Sequence, residues 1–240
     1  MANELDNEID IGAERCLLLA APLADRLAAM TEELRRIAPQ YVDLADRMSV
    51  RLRAAGTGHN APKLGDLMPS FVLPDENGRL TSLEDLSMDR RVVIAFHRGH
   101  WCSFCQINAE GLARVEDKIE AAGGRLVIVT PEIQKYNRRF KAQSKLRTLF
   151  LTDLDSGYAL SLDLAVRASE EEREFLTGAG WDFSEFQNNQ NWILPIPATF
   201  VVGQDAQILG RFVDPDYRKR MDIEDLLAAL KSDSGTAPET

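Results

Sequence analysis

The stretch HRGHWCSFCQ, residues 97–106, holds two of the three cysteines and two of the three histidines in a chain of 240 residues. It follows RRVVIAFH, residues 90–97, an apolar and β-branched run typical of a strand buried on both faces. The residues after it, 102–124, predict one long helix that ends at two glycines. The sequence therefore places Cys102 where a buried strand gives way to a helix.

The start of a helix changes the chemistry of a thiol. Unpaired backbone N–H groups at a helix N-terminus favour negative charge, so we expect Cys102 to carry a reactive thiolate. Cys105 lies one helical turn later on the same face, and we expect it to be more shielded. An exposed nucleophilic thiol with a resolving thiol behind it is the arrangement that disulfide exchange requires.

Two other interpretations of this stretch stay open. His97, His100 and the two cysteines are suitable zinc ligands by type, but all four come from one strand–turn–helix segment. Structural zinc sites usually join two separate ligand pairs, so this geometry is poor for the metal. The cysteines could instead be small buried apolar residues, although their place at a strand–helix junction disfavours this.

Outward from this stretch, the pattern of the chain changes near residue 60. Residues 12–57 carry apolar positions at three- and four-residue spacings, which predict two or three amphipathic helices. Beyond a glycine-containing linker, strands and helices alternate, which predicts an α/β fold with a central sheet flanked by helices. We expect a helical extension over residues 1–60, an α/β domain over 61–231 and a flexible tail over 232–240.

Composition limits the classes of function. A formal net charge of -10 and a pI near 4.9 disfavour nucleic-acid binding, which needs clustered cations. The acidic N-terminus does not match a secretory signal, and no apolar run is long enough to predict a membrane span. We therefore expect a cytoplasmic protein, in which a close cysteine pair is more often catalytic or metal-binding than structural.

A second signal lies at LPIPATFVV, residues 194–202. Pro197 precedes an apolar strand, which makes the Ile196–Pro197 bond a candidate for the cis form. Trp101, Cys102 and Cys105 after a buried strand, together with this proline, resemble the active site of the thioredoxin fold. The resemblance implies that Ile196 contacts the substrate and that the proline packs near the dithiol.

The chain also resembles the alkyl hydroperoxide reductase and thiol-specific antioxidant family, the peroxiredoxins. LGDLMPSFVLPDENGRLTSLEDL, residues 64–86, is similar to that family's first strand and hairpin, and PATFVVGQDAQILGRFVD, residues 197–214, to its closing hairpin. Arg98 to Cys105 match a peroxiredoxin-like subgroup with an Arg-Gly-x-Trp-Cys-x-x-Cys signature, and VDPDYRKR, residues 213–220, is similar to the same subgroup.

Two departures from typical peroxiredoxins concern the mechanism. The family's Pro-x-x-x-Thr/Ser-x-x-Cys motif has Ala95 at the proline position and Gly99 at the hydroxyl position. Pro197 stands where the family places an arginine before the closing strand. Donors aimed at developing charge are lost with both groups, and Arg98 or His100 can replace them only if the turn points them inward.

The resemblance implies a thiol oxidoreductase in which Cys102 attacks a peroxide or a disulfide and Cys105 resolves the product. A dithiol reductant such as a thioredoxin or glutathione then reopens the disulfide, with no cofactor and no metal. The alternative is a non-catalytic or zinc-binding interaction module on the same fold.

Two features of the N-terminal helices concern assembly and the third cysteine. Their apolar positions exceed what one flank of a small sheet obviously accommodates, so we expect a homodimer interface, with capping of their own subunit as the alternative. We expect Cys16 to be a buried structural thiol rather than a resolving cysteine.

Overall fold

A computed structural model of the protein describes residues 2–232, with side chains from residue 4 onward. Apart from Ser232, the predicted tail lies outside the described residues. The helices are α1 (Ala2–Leu18), α2 (Leu23–Ile37), α3 (Pro39–Ala54), α4 (Leu83–Ser87), α5 (Ser103–Ala113), α6 (Glu116–Ala121), α7 (Gln134–Ser144), α8 (Gly157–Ser161), α9 (Glu170–Gly178), α10 (Phe183–Gln187) and α11 (Ile223–Ala229). The strands are β1 (Val72–Pro74), β2 (Leu80–Ser82), β3 (Arg91–Phe96), β4 (Gly124–Thr130), β5 (Leu149–Thr152), β6 (Ala165–Arg167), β7 (Ile193–Pro195), β8 (Ala198–Val202) and β9 (Ile208–Val213).

The centre of the molecule is a five-stranded mixed sheet in the order β5-β4-β3-β8-β9. The pairs β3–β4 and β4–β5 are parallel, whereas β3–β8 and β8–β9 are antiparallel. Strand β3 lies in the middle, and its last five residues are fully buried, as its apolar run predicts. The predicted α/β class with a central mixed sheet flanked by helices is confirmed.

The N-terminal helices cover one face of this sheet and share its core. Ile9, Leu27 and Leu34 belong to the same cluster as Val93 and Ala95 of β3, which we name the first core. Most apolar residues behind the homodimer prediction are thus buried inside the protomer. This removes the argument for a dimer interface on these helices, and the homodimer itself stays a prediction.

The opposite face packs against a second cluster, the second core, which contains Val92, Ile94 and Phe96 of β3. The hairpin β1–β2 lies over it, as predicted, and turns at Asp75. The Asp75 carboxylate accepts the backbone N–H groups of Asn77 and Arg79 at 2.8 and 2.9 Å, which closes the turn.

Some predicted elements were wrong. The long helix predicted over residues 102–124 is two helices, because Val115 adopts non-helical angles (φ -119°, ψ 6°) and breaks the pattern between α5 and α6. The sequence SGYALSLDLAV, residues 156–166, also predicts a helix, but the helix there ends at Ser161 and the last two residues belong to strand β6. The sequence pattern also missed α9, α10 and β7. None of the helices within residues 2–232 is long and apolar enough to cross a membrane.

Candidate active site

The turn between β3 and α5 carries the candidate site, and Gly99 shapes it. Gly99 has φ 143°, and a Cβ there would lie 2.5 Å from Oε1 of Glu132. Only a residue without a side chain allows this close approach. The position where typical peroxiredoxins carry a hydroxyl is therefore occupied by the carboxylate of Glu132.

His100 points to Glu132, and no hydrogen bond joins it to the dithiol. The His100 backbone N–H donates to Oε2 of Glu132 at 2.9 Å, and its Nδ1 lies 2.7 Å from Oε1. Burial raises the pKa of Glu132, against the lowering effect of His100. The ring of His100 also stacks on Tyr136 at 4.9 Å. His100 thus holds the turn in place and does not supply the inward donor considered from the sequence.

Both thiols lie at the start of α5, as predicted, and both are buried. Cys102 is the N-cap residue of α5, and its carbonyl accepts the N–H of Cys105 at 2.9 Å. Cys102 is 3% exposed and Cys105 is 0% exposed. The expectation of an exposed Cys102 was wrong, because aromatic rings from distant segments cover the turn. Trp181 packs on Trp101 at 5.3 Å, and Tyr217 packs on Phe104 at 5.5 Å.

Two nitrogen donors, in addition to the thiol of Cys102, form hydrogen bonds to the sulfur of Cys105. The backbone N–H of Arg98 lies 3.4 Å from Sγ, and Nη2 of Arg220 lies 3.2 Å from it. Burial opposes ionisation of Cys105, but the hydrogen bond from the Cys102 thiol, the charge of Arg220 and the Arg98 N–H lower its pKa to about 5. The structure therefore favours the thiolate at Cys105.

Cys102 has the opposite tendency. Burial, the hydrogen bond to Cys105 and the negative charge at Cys105 raise the pKa of Cys102 well above its ordinary value. A buried pair with a shared hydrogen bond holds one negative charge more readily than two, and the two N–H donors at Cys105 favour that sulfur for the charge.

The Arg98 side chain is a buried cation between two aromatic faces. Its guanidinium carbon lies 4.7 Å from the centre of the Trp101 ring and 4.3 Å from that of Tyr217. Among residues 4–232, Arg98 and Arg220 form no ion pair with a carboxylate. Although burial opposes its charge, the nearby Cys102 raises the pKa of Arg98. Of the two residues that the sequence offered as inward-facing donors, Arg98 and His100, it is Arg98 that points into the protein.

The predicted cis bond at Ile196–Pro197 is wrong. No peptide bond within residues 2–232 is cis. The backbone runs extended from β7 into β8, with the Ile196 N–H bonded to Leu164 O and Pro197 O accepting the N–H of Asp214. A trans bond, the ordinary form before proline, suits this path.

Ile196 also differs from the substrate-contact role implied by the thioredoxin fold. Its side chain is 1% exposed and belongs to the second core, whereas both cysteines belong to the first. Its Cδ1 would lie 2.9 Å from a Cβ at Gly58, so it packs against the linker after α3. Ile196 therefore lies in the core on the other face of the sheet from the dithiol.

The histidines of the turn bind protein groups in this structure. Nε2 of His97 lies 2.8 Å from the side-chain amide of Asn108, and burial together with Arg220 holds the pKa of His97 well below its ordinary value. In the part of the chain that the structure describes, no group of three or more His, Cys, Asp and Glu side chains could hold a metal ion.

A surface cleft of about 560 Å³ lies next to this region. It lies between α2 and residues 216–222, and Leu27, Phe212 and Met221 form part of its apolar wall. Arg220 is the residue that joins the two regions, since it lines this cleft and its Nη2 contacts the sulfur of Cys105. The sequence analysis did not predict a role for Arg220. The local signal for it was the cationic run Arg218–Arg220, at the end of the segment VDPDYRKR that resembles the peroxiredoxin-like subgroup.

A mixed sheet with a Cys-x-x-Cys pair at its central strand–helix junction defines a thiol protein of the thioredoxin-fold class. A profile of the AhpC/TSA family matches residues 64–210, more than half of the chain, and the chain belongs to that family. Peroxiredoxin Bcp of Escherichia coli K12 is 29% identical over 96 residues, covering 40% of this chain and 61% of the relative. The match thus spans less than two thirds of that relative's length.

Solved structures share the fold. Peroxidoxin BcpB of Mycobacterium tuberculosis superposes with a TM-score of 0.55 at 18% identity, covering 70% of this chain and 96% of the other. Peroxiredoxin 6 of Arenicola marina has a TM-score of 0.55 at 14% identity, covering 71% and 73%. These likenesses confirm the predicted thioredoxin-like fold, and the family match confirms the resemblance to peroxiredoxins.

Proposed function

We propose that the protein is a thiol-dependent peroxidase in which Cys105 attacks the peroxide and Cys102 resolves the product. The contact between Arg220 Nη2 and Cys105 Sγ, at 3.2 Å, carries this proposal. A guanidinium at this distance stabilises the thiolate and can donate to a peroxide oxygen beside it. This reverses the roles that the sequence alone predicts for the two cysteines.

The chemistry proceeds in two steps. The Cys105 thiolate attacks one peroxide oxygen, the O–O bond breaks, and the departing alkoxide or hydroxide takes a proton, leaving a sulfenic acid on Cys105. Cys102 then loses its proton and attacks the Cys105 sulfur, which forms the disulfide and releases hydroxide that becomes water. A cellular dithiol, of the thioredoxin or glutathione systems, supplies the two electrons that reopen the disulfide.

Burial of the pair favours a peroxide over a protein disulfide as the oxidant. Exchange with a folded protein requires the attacking sulfur to reach a bulky partner, and neither thiol is more than 3% exposed. A small peroxide can instead approach through the cleft beside Arg220. A reducing compartment, such as the cytoplasm predicted from the sequence, suits recycling by a dithiol. Arg98 and Arg220 also keep N–H groups near the pair that have no partner in the described part of the chain, and such donors suit catalysis better than a non-catalytic module.

Stopped-flow mixing of reduced protein with hydrogen peroxide tests the roles. The Cys105→Ser variant should lose peroxide reduction, because it lacks the attacking thiolate. The Cys102→Ser variant should consume one equivalent of peroxide and leave a sulfenic acid on Cys105, detected by dimedone labelling and mass spectrometry. Sulfenic acid forming on Cys102 of Cys105→Ser at the wild-type rate would restore the roles predicted from the sequence.

A further inference from the structure

A small pocket lies between α3 and α9, and Arg98 of the dithiol turn forms part of its wall. Its volume of about 20 Å³ is enough for one water molecule or one small ion. Leu44, Met48 and Leu176 form part of its apolar wall, while Arg98 and Tyr217 form part of its polar side. This cavity is separate from the cleft that Arg220 lines.

The polar side of the cavity carries buried polar atoms that have no hydrogen-bond partner within residues 4–232. Nε and Nη1 of Arg98 and the hydroxyl of Tyr217 are buried and have no hydrogen-bond partner among the described residues. Arg98 is 4% exposed, so these N–H groups are also shielded from solvent. Guanidinium nitrogens only donate, and leaving buried donors unpaired costs free energy. Tyr41 lines the same cavity, but its hydroxyl forms no hydrogen bond with these atoms, so Arg98 lacks an acceptor.

One carboxylate, that of Glu172, lines the same cavity but already has partners. It accepts Nη2 of Arg51 at 2.9 Å and the backbone N–H of Ser169 at 2.7 Å. The Glu172 carboxylate is thus already paired with Arg51 of α3 and with the N-cap residue of α9. Arg98 keeps no carboxylate of its own.

The charge of the site changes with its redox state. In the reduced protein, one thiolate partly offsets the cations of Arg98 and Arg220. Formation of the disulfide removes that negative charge, so both cations then lack a counter-charge. This matters most for Arg98, which is 4% exposed, because a buried charge without a counter-charge is strongly unfavourable.

We infer that the cavity binds one small monovalent inorganic anion against Arg98 and Tyr217, and that the anion binds more tightly to the oxidised protein. The inference uses the proposed dithiol cycle only for its redox dependence. Oxidation of the pair of one thiol and one thiolate releases two electrons and one proton and is accompanied by uptake of the anion. A rising anion concentration therefore stabilises the disulfide and lowers its reduction potential.

Chloride is the probe for this site. The protein is equilibrated with reduced and oxidised dithiothreitol, chloride is replaced by gluconate at constant ionic strength, and the Cys102–Cys105 disulfide is quantified by alkylation and mass spectrometry. Where the oxidised protein is saturated and the reduced protein is not, each tenfold rise in chloride should lower the potential by about 30 mV, the value for one tenfold change in a two-electron equilibrium.

Variants assign the effect to the cavity. Arg98→Gln should abolish the chloride dependence, and Tyr217→Phe, which removes one hydroxyl and little volume, should weaken chloride binding roughly tenfold. The matched control is Arg218→Gln, because Arg218 is paired with Asp46 and Asp216 outside this cavity and should keep the full dependence. If Arg98→Gln fails to fold, Tyr217→Phe carries the test.

A second measurement does not depend on the cycle. Cys105→Ser removes the thiolate charge permanently, so chloride should raise the melting temperature of this variant more than that of reduced wild type. Chloride stabilisation without any Cys102–Cys105 disulfide would keep the anion site and reject the proposed function. No chloride dependence in either measurement would show that the cavity holds only water and would overturn the inference.

Discussion

The two faces of the central sheet are both closely packed, but they differ in the groups that they bury. The second core is formed by apolar residues such as Ile94, Phe96 and Phe200. The first core contains the dithiol and lies beside buried cations. Eight buried side-chain nitrogen and oxygen atoms lack a partner in the described chain, and six of them belong to His97, Arg98, Trp101, Tyr217 and Arg220.

This difference separates stability from function. Unpaired buried donors and cations cost free energy, so a sequence under selection for stability alone would replace them with apolar residues. Their concentration around Cys102 and Cys105 indicates that the first core tolerates this cost in exchange for a stabilised thiolate. The second core supplies the compensating apolar packing. Substitutions in the two cores should therefore change different measurements.

The largest effect on stability is expected from Phe200→Ala. Phe200 is fully buried in the second core and packs on Phe96 at 6.3 Å. Its loss should lower the free energy of unfolding by about 3–5 kcal/mol, because a cavity remains. Urea unfolding measures this change, and thiolate absorbance at 240 nm should show an unchanged pKa for Cys105. A shifted thiolate pKa would show that the two cores are not independent.

A loss of roughly a hundredfold in the rate of peroxide reduction is expected for Arg220→Gln, since one donor to developing charge is removed. The pKa of Cys105 should rise in the same variant, because Arg220 is one of the groups that lower it. Lys219→Gln is the matched control, as this neighbouring side chain is exposed and does not contact the dithiol. Equal rates for the two variants would remove Arg220 from the mechanism.

The local parts of this site could be predicted from the sequence. The β-branched run at residues 91–96 and the helix start at Cys102 depend on neighbours in the chain, and both were found. Cys16 is buried in the first core, as predicted. These features are encoded by periodicity and by residue type, which a single sequence displays directly.

The remaining features depend on contacts between distant residues. Arg220 reaches Cys105 across 115 positions of the sequence, and Trp181 covers Trp101 from the connection between α9 and α10, which showed no clear sequence pattern. The burial of Cys102 follows from this cover and not from its place on α5. Periodicity contains no information on such packing, so the sequence predicted the dithiol but not which sulfur carries the charge.

A smaller effect on stability is expected from Gly99→Ala, which tests the close approach of Glu132. The new methyl group would collide with the carboxylate, and φ 143° would be strained. Gly78→Ala is the matched control, because Gly78 has φ 84° but no atom within 4 Å of the added carbon. Gly99→Ala should unfold at lower urea, by about 1–3 kcal/mol more than the control. Equal losses would mean that backbone strain alone requires glycine.

The smallest effect is expected from pH acting on the wild-type rate. The pKa of Cys105 is lowered from its ordinary value of 9.0 to about 5, so the thiolate is already formed and the rate should change less than about twofold between about pH 6 and 8. The rate should fall as the pH drops through about 5, where the attacking sulfur becomes protonated.

The same pKa shift makes the stability depend on pH. Because the folded protein binds fewer protons at Cys105 than the unfolded chain, this residue's contribution to stability is fully present above pH 9.0 and is lost as the pH falls through about 5. The difference in free energy of unfolding between reduced wild type and Cys105→Ser, measured with urea, should therefore increase as the pH rises from about 5 to 9.0. A rate that rises steadily up to pH 9 would instead indicate that the attacking sulfur is an ordinary thiol. Both cysteines would then be protonated at neutral pH.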